Sequence, residues 1–346
     1  MKRQLVLPEN LVKIFGGNNE EALRAFLLSV LTPKKQDFAF SDSSNVWEEV
    51  ETVGPFHGGK ITPVSRLWFE FCLLSYSEKP LPSMVQLSGT PTRFMGVFYG
   101  ENNTRCFAFK VERGKLDGVK SRSECLVFVF APFLPKNFWE EISLGFGTMC
   151  NTDIDEHSGI HGGILELSSK FTKNILSCVS NQGTTPDIWL LGMSMGGALA
   201  KASLWHLRKN GWGGKATVKT FGCPRVGNKK FSLWFEQNCE DDSFSAALIT
   251  NDKNKIVADP VSLFPPKSKG YEDCPFFCFL HNKVLFTSEW LRSTQPDLDI
   301  SIASCLNGML NISDVQKYGL SNMGIGERNR EWELAHNPQV YFDNLS

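Results

Sequence analysis

Apolar residues fall along this chain in three rhythms, and each predicts a different element. Two runs are continuous: Cys125-Leu126-Val127-Phe128-Val129-Phe130 and Ile188-Trp189-Leu190-Leu191. Runs of that length and uniformity suit central strands covered on both faces. A second group is shorter and β-like. Residues 94–99 and 105–111 flank Gly100-Glu101-Asn102-Asn103, which reads as a hairpin, and residues 216–221 and 244–250 read as further strands. The third rhythm is helical. Residues 68–74 predict a buried helix. Ile164, Leu165, Leu167, Phe171, Ile175, Leu176 and Val179 fall on one helical stripe, and residues 196–209 predict a helix that stops at Gly211. Strands alternating with helices predict an α/β fold: a mostly parallel central sheet with helices on both faces. Residues 1–62 stand apart as a small helical extension. Asn18 and Glu21 form a capping pair before an apolar run, and Thr32-Pro33 ends it. Residues 63–346 form the main domain.

Composition narrows the function classes. The chain has 346 residues, 42% hydrophobic and 21% charged, enough for one sizeable core. A net charge of −1 gives no global attraction for nucleic acid. No apolar run approaches the roughly 18 residues of a spanning helix. The ten cysteines have no regular spacing, and residues 1–10 carry no apolar secretory core. Together they predict reduced, buried thiols in a cytoplasmic protein. Cys274, Cys278 and His281 have the look of metal ligands, but no second pair completes a site, so they are read as structural. Twenty-seven Phe against five Tyr is a strong bias toward rings without a hydroxyl.

Chemistry enters at Gly192-Met193-Ser194-Met195-Gly196-Gly197-Ala198-Leu199-Ala200. Gly-x-Ser-x-Gly between a predicted strand and a predicted helix is the context of a nucleophile elbow. The turn strains Ser194, and small residues two positions to either side make room for it. The helix N-terminus beneath the hydroxyl favours negative charge there.

Four segments, in order, make the resemblance specific: His161-Gly162-Gly163-Ile164-Leu165, the elbow itself, Phe221-Gly222-Cys223-Pro224-Arg225-Val226-Gly227-Asn228, and Asp259-Pro260-Val261-Ser262-Leu263-Phe264-Pro265-Pro266. They resemble segments of the class 3 lipase family, the fungal-lipase-like branch of the α/β hydrolases, over roughly residues 66–345. The first 60 or so residues lie outside the likeness.

The resemblance implies an α/β-hydrolase fold and a Ser-Asp-His triad. Ser194 matches the nucleophile. Asp259 matches the acid, with Asp252 as the alternative. His336, in Ala335-His336-Asn337-Pro338-Gln339-Val340-Tyr341-Phe342, is similar to the family's late His-x-x-Tyr-Phe segment and is favoured as the base over His281. His206, on the helix after the elbow, is read as structural. The oxyanion hole is assigned to the backbone N–H groups of Met195 and Phe133. At the second position the family has Phe-Arg-Gly-Thr/Ser, whereas this chain has Phe130-Ala131-Pro132-Phe133. The implied activity is hydrolysis of lipid acyl esters without a metal or organic cofactor, with transient contact at a lipid surface. Residues 134–155 stand where such enzymes carry a lid, and Phe138, Trp139, Ile142, Leu144, Phe146 and Met149 read equally as an apolar lid face or as core packing. The altered oxyanion segment supplies the alternative, a hydrolase fold of weakened or lost activity that binds lipid or protein.

Overall fold

The computed structural model describes residues 62–111, 125–131 and 154–286, less short stretches within those ranges, followed by His336, Tyr341 and Leu345. The extension helix expected near 18–32 and the lid residues 138–149 lie outside the described residues.

One twisted sheet runs through the molecule. Its strands are β1 (Thr62–Pro63), β2 (Met84–Leu87), β3 (Thr90–Tyr99), β4 (Arg105–Val111), β5 (Cys125–Ala131), β6 (Asp187–Met193), β7 (Ala216–Phe221), β8 (Phe244–Asp252), β9 (Lys255–Ala258), β10 (Phe277–His281) and β11 (Val284–Phe286). They stand in the order β1-β11-β10-β8-β7-β6-β5-β4-β3-β2, with β9 paired to β8 off this path. The centre is parallel: β5, β6, β7, β8 and β10 pair in one direction. Antiparallel strands extend it on both sides. The expected hairpin is present, as β3 and β4 pair antiparallel from Tyr99↔Arg105 to Thr92↔Val111.

Helices α1 (Arg66–Leu74), α2 (Gly162–Ser169), α3 (Thr172–Ser180), α4 (Met195–Lys209) and α5 (Lys229–Asn238) cover the two faces. The period-2 geometry of a strand divides the core between them. Every residue of β5 is buried, but Val127 and Val129 join the cluster with α1, while Leu126, Phe128 and Phe130 join the cluster with α2, α3 and α4. On the first face Trp68 of α1 stacks on Trp189 of β6 at 4.3 Å. The Lys219 ammonium lies 4.7 Å and 4.8 Å above those two rings, so a cation–π contact ties α1 to the sheet centre.

The apolar stripe expected as one helix over residues 164–179 is two helices. At the junction Lys170 N–H donates to the Leu167 carbonyl and Phe171 N–H to Ser168, both three residues back. The tightened turn seats the fully buried Phe171 edge-on to Phe130, 5.6 Å away. Both helices stay right-handed through the break, so the stripe persists while the helix does not.

Candidate active site

The parallel strands end together at one edge of the sheet, and the site is built there. β6 runs straight into α4 through Ser194, whose φ of 55° is the one positive value on a non-glycine among the described residues. The backbone enforces this strain. Ser194 N–H donates to the Phe221 carbonyl at 2.9 Å, and Gly197 N–H donates to the Ser194 carbonyl at 3.0 Å. A Cβ on Gly192 would enter the backbone of Gly196 and Gly197, and one on Gly197 would come 2.8 Å from Cβ of Cys223. The glycines around the serine thus allow the strand and helix to cross at contact distance. Ser194 occupies the N-cap position but makes no side-chain cap bond, which leaves its hydroxyl for other partners.

That partner is His336. Its Nε2 lies 3.1 Å from Ser194 Oγ, and its Nδ1 lies 2.8 Å from Asp259 Oδ2 and 3.0 Å from Oδ1. A carboxylate only accepts, so in the neutral imidazole Nδ1 carries the proton and Nε2 accepts from the serine hydroxyl. All three side chains are buried, Asp259 completely. A buried carboxylate must be satisfied by donors. Asp259 Oδ1 accepts from Val261 N–H at 2.9 Å, and Oδ2 accepts from the Tyr341 hydroxyl at 2.6 Å. Tyr341 in turn accepts from Leu248 N–H at 2.9 Å. Burial, together with the Asp259 charge, pushes the Tyr341 phenol well above its ordinary range, so it stays a donor.

The structure brings together Ser194, Asp259 and His336. Asp252 sits at the end of β8 opposite Lys255 in the β8–β9 turn, and His281 ends β10. His206 Nε2 lies 2.8 Å from the Leu165 carbonyl and ties α4 to α2, as its structural reading requires. Burial lowers its pKa. Met195 opens α4 with its N–H in the first turn, where helical N–H groups lack intrahelical partners. Phe133 lies outside the described residues. Among the described residues, no group of three or more His, Cys, Asp or Glu side chains is placed to hold a metal ion.

Two residues were given no role at the sequence level. Gly222 has φ +56°, and a Cβ there would lie 2.6 Å from Asp259 Oδ2 and 2.9 Å from His336 Cε1. Glycine at this point makes room for the acid–base pair. Tyr341 was quoted only as part of a segment. The signal for it lay in composition: a chain with twenty-seven Phe and five Tyr spends few hydroxyls, and a fully buried one is there to be used.

A strained serine at a strand–helix turn, joined through histidine to a buried aspartate on a mainly parallel sheet, has the geometry of the Ser-Asp-His triad of α/β hydrolases. Residues 121–264 match the family model described as lipase (class 3). It is 29% identical over 156 residues to secreted mono- and diacylglycerol lipase 1 of Fusarium solani, across 44% of this chain and 42% of the relative. The match therefore spans less than half of that relative. Similar solved structures include a lipase from Rhizopus microsporus var. chinensis (14% identity, TM-score 0.49, 72% of this chain and 88% of that one) and the Rhizomucor miehei lipase propeptide complex (15% identity, TM-score 0.48, 75% and 86%).

The expected cytoplasmic location is corrected by this comparison, because the curated relative is a secreted lipase. That expectation rested on the composition of the first ten residues and on scattered cysteines.

Proposed function

We infer that the protein is a serine hydrolase of lipid acyl esters. One observation carries this reading: Ser194 Oγ at 3.1 Å from His336 Nε2, with the opposite ring nitrogen on Asp259. Ser194 attacks the ester carbonyl as His336 takes its proton. His336 then returns the proton to the departing alcohol, and water cleaves the acyl-enzyme by the same route. Asp259 keeps the proton on Nδ1 and stabilises the imidazolium. The N–H of Met195 is assigned to the developing oxyanion, with the N–H of Phe133 as its partner. The lipid substrate is proposed on the match of residues 121–264 to the class 3 lipase model and on the likeness to a relative named as a mono- and diacylglycerol lipase. Contact with a lipid surface during uptake belongs to the same proposal, as does the division of the chain near residue 62.

The test is covalent labelling. A fluorophosphonate should add one adduct to the wild type and none to Ser194→Ala, read by intact mass. A folded wild type that stays unlabelled would sink the assignment. A series of short- and long-chain esters then tests the preference for lipid.

A further inference from the structure

One buried cation outside the triad stands where the elbow and the loop of the catalytic acid are fastened together. Arg225 lies in the turn after β7 and is only 6% exposed. Its guanidinium reaches in two directions. Nε–H donates to Asp273 Oδ1 at 2.6 Å, and an Nη1–H donates to the Pro265 carbonyl at 3.0 Å. The other carboxylate oxygen of Asp273 lies 2.7 Å from Lys267.

Both arms end on backbone that is itself held. On the first, Glu272 N–H donates to the Gly227 carbonyl at 2.9 Å, and Ser232 Oγ of α5 donates to the Asp273 carbonyl at 3.0 Å. On the second, Pro265 closes the loop that carries Asp259. That loop starts with Asp259 N–H donating to the Leu248 carbonyl of β8 at 2.8 Å, and it turns through a 3-10 helix at Val261–Leu263. Pro265 is followed by Pro266, so its backbone has little freedom of its own. The acid loop is thus held at its start by β8 and at its end by Arg225. β7 and the turn that carries Arg225 also supply the Phe221 carbonyl, which accepts from Ser194 N–H, and Gly222, which makes room for Asp259 and His336.

Stability alone does not call for a guanidinium at this point, because a buried ion pair is often no better than apolar packing of the same volume. What a guanidinium adds is a rigid fork with donors in fixed directions. We propose that Arg225 is a positioning residue for the acid–base pair. It fixes the far end of the acid loop against the turn behind Ser194, and so sets the Asp259 carboxylate against His336 Nδ1. It touches neither substrate nor the reacting atoms. This role rests on the serine-hydrolase assignment, but its most direct readout needs no turnover.

That readout is the proton held between His336 Nδ1 and Asp259, followed as a low-field NMR line that His336→Ala identifies by removing it. Arg225→Met takes away both arms. Arg225→Lys keeps a cation beside Asp273 but replaces the fork with a point charge, and it decides the matter even where Arg225→Met does not fold. Both should shift or broaden the line. With kcat taken per site titrated by a fluorophosphonate, so that unfolded protein is not counted, kcat should fall about tenfold in Arg225→Lys and about 100-fold in Arg225→Met. KM should stay within about twofold of wild type, because Arg225 makes no substrate contact. A folded Arg225→Lys with wild-type kcat, or with its proton line unmoved, would overturn the role. So would a raised KM at unchanged kcat, which would make Arg225 a binding residue. A wild type that takes up no fluorophosphonate would sink the hydrolase assignment alone, and the proton line would then decide the positioning role by itself.

Discussion

The elbow and the acid–base corner meet at one hydrogen bond but are built on opposite principles. At the elbow, six consecutive residues do the work. Backbone sterics and two backbone bonds hold Ser194 at φ 55°, and its side chain takes no part in its own placement. At the corner, the backbone does little alone. Asp259, His336 and Tyr341 are far apart in the chain, and four polar contacts to the Asp259 carboxylate from His336, Tyr341 and Val261 hold them. Damage at the elbow should therefore be all-or-none and local. Damage at the corner should be graded by how many donors remain.

The largest expected effect is loss of the nucleophile. Ser194→Ala should lower kcat on the order of 10⁵–10⁶-fold with little change in Tm, and His336→Ala should match it, because triad members act as a unit. Steady-state kinetics on a soluble ester, beside thermal melts, checks both. A much smaller loss in His336→Ala would mean that the corner does not serve the elbow.

Gly222→Ala probes where the two regions touch. The added methyl meets Asp259 and His336, and the positive φ strains any L residue. We expect kcat to fall about 100-fold from misalignment of the pair and stability to fall about 1–2 kcal/mol. Denaturant melts and kinetics read the two effects separately.

Tyr341→Phe removes one donor to Asp259 and the acceptor of Leu248 N–H while keeping the ring, which packs 5.6 Å from Phe69. Leaving two buried groups short of partners should cost about 1–3 kcal/mol, and kcat/KM should drop about tenfold, far less than for His336→Ala. A loss as large as that of His336→Ala would show that the corner fails as abruptly as the elbow.

The smallest effect lies outside both regions. Burial pushes Asp273 up, but Arg225 and Lys267 outweigh it and hold the carboxyl below its ordinary value. A lowered folded pKa means that its stabilisation is complete above the unfolded value and is lost as pH falls through the folded one. Wild-type unfolding free energy should therefore fall below about pH 4 more steeply than that of Asp273→Asn, by less than about 1 kcal/mol for so partly exposed a network, as read by denaturant melts across pH. Equal slopes would show that the pair contributes nothing there.

Legibility followed the same division. The strand β6, the elbow and α4 could be read from contiguous residues, and so could the β3–β4 hairpin and the buried strand β5. The continuous stripe over 164–179 misled because apolar period reports which face is buried, not whether the helix bonds continue. The choice of Asp259 over Asp252 and of His336 over His281 came from likeness to a family, not from spacing. Gly222 was visible only as part of the segment likened to the family, with no hint of what it makes room for.

From sequence alone came everything that backbone sterics and side-chain period decide within a few residues: a strained serine between strand and helix, a parallel-centred α/β sheet, and glycines where chains cross. Tertiary structure alone brought the favoured histidine and aspartate together at the serine and showed that Tyr341 supports the aspartate. These depend on contacts across 77 and 142 residues of chain, for His336 with Asp259 and with Ser194. Such separations are closed by the whole sheet, and no local pattern encodes them.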